Sequence, residues 1–284
     1  MNKFIDVAKI LKDKNPGAYK WMPGFLISWL KRIIHEDRLN AFQSRAHHLR
    51  GLDYCDATIE ELGLKIVCKG LENVPTEGGC ILVSNHPIGA MDGISLLQQI
   101  GRRRKDVRFL VNDILTRLQG FAELFVPVNK VGSTSMDNLR RIEEVFASDM
   151  AVLVFPAGLV SRKQGDVIQD LAWNKSFVVK AQKYNKPIIP VHISGRLSNW
   201  FYGLSKFRKM IGIKANIEML YLADEMFGME GSTITITIGK PIAPETIDKR
   251  FNAQQWAACF RAYIYDMAQN PESDFAEFAR KYKA

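Results

Sequence analysis

Two stretches of the chain combine residue types able to move a proton and to receive an acyl or anionic group. The first is SNHPIGAMDG, Ser84–Gly93, in which His86 is followed six positions later by Asp92. An imidazole takes and returns a proton near neutral pH, and a carboxylate beside it fixes the tautomer and stabilises the imidazolium. Pro87 pushes His86 toward extended backbone, and Gly89 and Gly93 permit a tight turn before Asp92. The same residues also suit a plain capped turn, because Asp92 is a good N-cap for a following helix. One carboxylate oxygen can cap while the other faces His86, so both readings stay open on chemistry alone.

The second stretch is FPAGLVSRK, Phe155–Lys163. A loop containing Pro156 and Gly158, followed by Ser161, Arg162 and Lys163, can receive an anion. It can equally be a connection with its cations in water. Other chemistries lack their residues. G-x-S-x-G, the phosphate-binding G-x-x-x-x-G-K-[ST] and the dinucleotide-binding G-x-G-x-x-G do not occur. His47 and His48 have no companion metal ligands, and His192 sits in the apolar run IIPVHIS, as a core histidine would. The four cysteines show no C-x-x-C spacing and are expected as free thiols in a reducing compartment.

Both stretches follow short apolar runs, CILVS and AVLV, that read as buried strands. Further strands are expected at Leu64–Gly70, Val107–Asn112, Leu124–Asn129, Ile188–Ser194, Asn216–Leu222 and Ser232–Gly239. Pro127 marks Leu124–Asn129 as an edge strand or strand end. Helices are expected at Ile94–Ile100, near Ile114–Leu118, and at Ser133–Ser148, Trp173–Tyr184, Gln254–Gln269 and Ser273–Tyr282. Strands alternating with helices imply an α/β fold with a mixed, largely parallel sheet flanked by helices. In such sheets, sites form where the strands end.

The 284 residues are 47% hydrophobic and 24% charged, enough for a large core and no sign of disorder. The net charge is +9, and residues 1–50 carry ten Lys or Arg against four Asp or Glu. Such a surface suits phosphate-bearing partners or simply keeps the chain soluble. No secretory signal and no bilayer-spanning stretch are expected. Residues 1–62 read as helical, with breaks at Asn15-Pro16, Pro23 and Gly51. Within WMPGFLISWLKR, Trp21, Phe25 and Trp29 stand beside Lys31 and Arg32. This suits a helix lying in a membrane interface, or one packed on the protein's own core.

Four stretches in order, SNHPIGAMDG, FVPVNKVGS, FPAGLVSRK and KPIIPVHISG, resemble the glycerolipid acyltransferases, the lysophospholipid acyltransferase superfamily, over roughly residues 65–245. The spacing H-x5-D is one residue longer than the common form. It resembles the hemolysin-like branch, which includes O-acyltransferases of ornithine and glycine lipids. Asn129, with Lys130 beside it, stands where the superfamily has an arginine, and Ala157 where it has a glutamate. In the glycerol-phosphate enzymes those two residues serve acceptor recognition.

The resemblance therefore implies a lyso-lipid acceptor with a carboxylate head, such as an N-acyl amino acid, in preference to lysophosphatidic acid. Acylation of 1-acylglycerol-3-phosphate is the alternative within the enzyme class. A non-catalytic lipid-binding protein on the same scaffold is the alternative outside it. The implied donor is an acyl thioester, on acyl-carrier protein or coenzyme A, with no metal or redox cofactor. His86 is the implied base and Asp92 its partner. Asn129, Lys130, Phe155, Pro156, Ala157, Gly158, Ser161, Arg162 and Lys163 are the substrate contacts. Backbone N–H groups near Gly158 or after Pro87 are candidates for the oxyanion. The parts are an amino-terminal helical, membrane-facing segment (1–62), an acyltransferase α/β domain (63–250) and carboxy-terminal helices (251–284). Trp21, Phe25, Trp29, Lys31 and Arg32 would seat the chain peripherally on the cytoplasmic face of the inner membrane. No recognised motif supports a nucleic-acid partner, and none is expected.

Overall fold

A computed structural model describes residues 4–112, 118–128 and 136–283. The chain begins with helices α1 (Val7–Lys14), α2 (Pro16–Lys20), α3 (Gly24–Ile34), α4 (Glu36–Ala46) and α5 (Gly51–Glu61). Breaks fall at Pro16, Pro23 and Gly51 as expected. A further one falls at His35, whose left-handed backbone (φ 55°) separates α3 from α4.

The α/β part follows as β1 (Lys65–Lys69), β2 (Cys80–Ser84), α6 (Ala90–Gly101), β3 (Val107–Asn112), β4 (Phe125–Val128), α7 (Met136–Ala147) and β5 (Ala151–Val154). Next come a hairpin, β6 (Arg162–Gln164) and β7 (Val167–Gln169), then α8 (Ser176–Tyr184), β8 (Ile188–Ile193), α9 (Asn199–Met210) and α10 (Leu222–Phe227). The chain closes with β9 (Thr233–Ile238), α11 (Ala253–Met267) and α12 (Phe275–Lys281).

Seven strands form one sheet in the order β1-β9-β8-β2-β5-β3-β4, parallel except where β8 meets β9. Pro127 lies on the edge strand β4, where its missing N–H breaks no ladder. Strand side chains alternate between two buried layers. Leu82, Leu153 and Val191 face α5 and α6, whereas Ile81, Val83 and Ile188 face α8 and α11. Each such fully buried aliphatic side chain stabilises the fold by about 1.5–3 kcal/mol. Because β2 is parallel to both β5 and β8, their carboxyl ends share one edge of the sheet. The loops after β2 and β5, which carry the two singled-out stretches, are therefore neighbours.

Three expectations are corrected. Residues 216–222 form no strand. Ile217–Tyr221 is a 3-10 turn that runs into α10. A strand would place Glu218 and Leu220 on one face, but Glu218 is fully buried while Leu220 is 43% exposed. Glu218 is drawn inward by Arg162 and Arg208, so the ion pair overrides the apolar spacing. Helix α6 starts at Ala90, ahead of Ile94, which places Asp92 in its first turn with Gly89 as the cap. Gly93 lies inside that helix, where a Cβ would come within 2.5 Å of the Phe109 ring; close packing, not a turn, requires it. The helix expected near Ile114–Leu118 lies, except for Leu118, outside the described residues, as do Asn129, Lys130 and the start of the helix expected from Ser133. No helix among the described residues is long and apolar enough to cross a membrane.

Candidate active site

His86 and Asp92 meet. His86 Nδ1 lies 2.8 Å from Asp92 Oδ2. The same oxygen accepts the backbone N–H of Ile88 at 2.9 Å and of Gly89 at 3.0 Å. Capping and histidine contact therefore fall on one carboxylate oxygen, where a division between the two was expected. Oδ1 is buried and has no hydrogen-bond partner among the described residues. Burial raises the Asp92 carboxyl above the usual carboxylate range, and the His86 and two amide hydrogen bonds pull against that rise. Asp92 is completely buried while the His86 side chain keeps 19% of its surface exposed. With Nδ1 tied to the carboxylate, Nε2 is the nitrogen left to exchange a proton with a bound molecule.

The second stretch holds this pair from the other side. The Phe155 ring stacks on the His86 imidazole, centroids 4.5 Å apart and planes 9° apart. Phe109 meets Phe155 edge-on at 5.2 Å. The Ser161 N–H donates to the His86 carbonyl at 2.7 Å. Asp170, which follows β7, accepts the His86 N–H at 3.2 Å, the Ser161 hydroxyl at 2.6 Å and Trp173 Nε1–H at 2.8 Å. Both backbone polar groups of the catalytic candidate are thus bonded to the segment that follows β5. Asn85 completes the frame by donating to the Ile193 carbonyl at 2.9 Å and accepting its N–H at 2.7 Å, which pins β2 to β8.

The remaining predicted contacts divide. Pro156 is buried and Ala157 packs into the α8–α11 layer. Gly158 has φ 62°, and its N–H donates to the Phe155 carbonyl at 3.0 Å. The oxyanion candidates at Gly158, Ile88 and Gly89 are therefore already engaged. Arg162 is corrected as an anion contact. It is buried, pairs with Glu218 at 3.1 Å and donates to the Val160 carbonyl. Lys163 is exposed on β6. On the amino-terminal segment Trp21, Phe25 and Arg32 are exposed, and Lys31 lies 3.9 Å from the buried Glu36.

Sequence reading missed Asp170 and Asn85. An aspartate directly before the apolar LAW was the available signal, because a buried carboxylate must be hydrogen-bonded. The thiols are held well above neutral, so little thiolate forms to act as a nucleophile. Burial lifts Cys55 and Cys259 to about 12 and Cys68 and Cys80 to about 11. Surface cavities of about 460 Å³ beside Phe278 and Tyr282 and about 380 Å³ beside Lys31 and His35 are not lined by the pair.

Fold and site together define an α/β enzyme with a His–Asp pair at the carboxyl edge of its sheet. The chain belongs to the acyltransferase family, whose model, described as Acyltransferase, matches residues 9–264. A protein of Phocaeicola vulgatus named lyso-glycine lipid O-acyltransferase is 46% identical over 264 residues, covering 93% of this chain and 95% of that protein. A protein of the same name from Bacteroides thetaiotaomicron is 45% identical, covering 93% and 97%. Among solved structures, the 1-acyl-sn-glycerophosphate acyltransferase PlsC of Thermotoga maritima aligns with a TM-score of 0.46 and 17% identity, over 88% of this chain and 94% of that one.

Proposed function

We propose that this acyltransferase moves a fatty acyl group from a thioester to the hydroxyl of a lyso-glycine lipid, an N-acyl amino acid. The observation that carries the reading is the near-complete coverage at 46% and 45% identity by two relatives of that name. The His86–Asp92 geometry supplies the chemistry. Nε2 of His86 takes the acceptor hydroxyl proton as the oxygen attacks the thioester carbonyl. The carbon–sulfur bond then breaks, and the imidazolium returns the proton to the departing thiolate. Asp92 holds the ring and balances its charge in between. No group of the protein is acylated, in keeping with thiols held far above neutral. The donor is acyl-carrier protein or acyl-coenzyme A, and the chain needs neither a metal nor a redox cofactor.

The reading also seats the enzyme peripherally on the cytoplasmic face of the inner membrane, where acceptor and product reside. Trp21, just before α3, and Phe25 and Trp29 on it are 89%, 76% and 38% exposed, apolar side chains that suit a membrane interface.

Purified protein supplied with labelled acyl thioester and either lyso-glycine lipid or lysophosphatidic acid tests the acceptor. Preferential acylation of the glycine lipid is expected, and exclusive use of lysophosphatidic acid would refute it. His86→Ala should lower turnover on the order of 10²–10⁴-fold, and full activity in that variant would refute the mechanism.

A further inference from the structure

Helix α9 exposes more large apolar surface than a helix facing water requires. Its inner face carries Phe201, Tyr202, Ser205 and Arg208. The Arg208 guanidinium is buried, with Nε 2.5 Å from Glu218 and another nitrogen 3.1 Å from the Ile213 carbonyl. Its outer face carries Trp200, Phe207 and Met210, and Ile211 follows; these are 59%, 52%, 74% and 50% exposed. Positions 200, 207, 210 and 211 fall on one side of a helix. A water-facing helix directs its charges outward and its apolar residues inward. Here a buried ion pair joins Phe201 and Tyr202 in anchoring the helix, and Trp200, Phe207 and Met210 point away from the body.

Along α9 and the loop that follows it the charge has one sign, while Glu225 of α10 sits at the helix's amino end, accepting the Ser198 N–H. Between Asn199 and Ile217 stand Lys206, Arg208, Lys209 and Lys214, and no acidic residue. Lys206, Lys209 and Lys214 are exposed. Aromatic and aliphatic side chains interleaved with exposed lysines match the boundary of an anionic bilayer. The surface is also continuous with α3. The Tyr221 ring meets Trp29 at 5.9 Å and Trp200 at 5.9 Å, edge-on to both. Next in the chain, Leu222 lies against Gly89, where a Cβ would come within 3.4 Å of it. The apolar surface therefore borders the loop that carries His86.

We propose that α9 and the residues following it are a second lipid-contacting element, continuous with α3, that binds the surface of an anionic membrane. The proposal extends the membrane-seated reading of the function and shares its orientation. The test uses the full chain and vesicles of phosphatidylglycerol and phosphatidylethanolamine containing brominated lipid. Trp173 and Trp256 are each 1% exposed. In Trp21→Phe/Trp29→Phe, Trp200 is therefore the only tryptophan at the surface, and α3 keeps aromatic side chains. Quenching of Trp200 emission by the brominated vesicles is expected. Trp200→Ser/Phe207→Ser/Met210→Ser should weaken sedimentation with the vesicles on the order of tenfold, with an unchanged circular dichroism spectrum confirming the fold.

Vesicle binding with unquenched Trp200 and an unaffected triple variant would overturn this inference and leave α3 as the membrane contact. Failure of the wild type to bind any anionic vesicle would overturn both readings. A triple variant that binds vesicles normally but forms a smaller assembly than the wild type, or loses binding to acyl-carrier protein, would assign the surface to a protein partner and overturn the lipid proposal.

Discussion

Asp170 grips His86 by its backbone. One carboxylate oxygen of Asp170 accepts the His86 N–H at 3.2 Å together with the Ser161 hydroxyl at 2.6 Å, across 84 residues of chain. The other accepts Trp173 Nε1–H at 2.8 Å. In Asp170→Asn one of these acceptors becomes a donor facing another donor. Stability should fall by about 1–3 kcal/mol, read as a shift in the denaturant midpoint. Because the residue acts through His86, kcat should fall with little change in KM. A variant that loses stability but keeps kcat at low temperature would make Asp170 structural only.

Gly89 is the next test of how the pair is set. It has φ 84°, caps α6 and donates its N–H to Asp92. Gly89→Ala should cost about 1–3 kcal/mol for the left-handed backbone alone. It should also reduce turnover by moving the Asp92 carboxylate, so loss of activity beyond the loss of folded protein at 25 °C is the expected measurement.

Glu218 neutralises two buried arginines, Arg162 at 3.1 Å and Arg208 at 2.5 Å. Glu218→Gln leaves both cations buried with no opposing charge and should destabilise by about 3–5 kcal/mol. Thermal unfolding measures it directly. A change below about 1 kcal/mol would mean that water reaches the two guanidinium groups and screens them as on a surface.

Acid sensitivity should come in part from Glu143, which joins α7 to α8. Hydrogen bonds from Lys180, Tyr184 and Lys183 lower its carboxyl from 4.5 to about 2. A carboxyl that binds its proton less readily when folded stabilises the fold above pH 4.5 and loses that contribution as pH falls toward 2. Its side chain is 39% exposed, so the effect is small. In melts recorded from pH 5 down to pH 2.5, the melting temperature of Glu143→Gln should decline less steeply than that of the wild type.

Much of the sheet was legible because its strands are short apolar runs bounded by glycine, proline or polar residues, as in CILVS and AVLV. The His86–Asp92 pair was legible because both residues lie in one strand-to-helix junction, six positions apart. Asp170 was not, since its bond to His86 spans 84 residues and no local pattern records a contact over that distance. Residues 216–222 misled for a related reason: the spacing was strand-like, but a buried carboxylate answering two remote arginines decided the conformation. Arg162 reads in sequence as a candidate substrate contact, and only the fold reveals that it is buried against Glu218.

The contact of Tyr221 with both Trp29 and Trp200 has a geometric consequence. Tyr221 and Leu222 are adjacent, so their Cα atoms are about 3.8 Å apart, and Leu222 abuts Gly89. The step from the outer aromatic rings to the catalytic turn is thus a single peptide link with packed rings at one end. One peptide link and one van der Waals contact join the two. On the proposed membrane seating, they set the height of the imidazole above that aromatic face, and so how far an acceptor hydroxyl rises to be acylated.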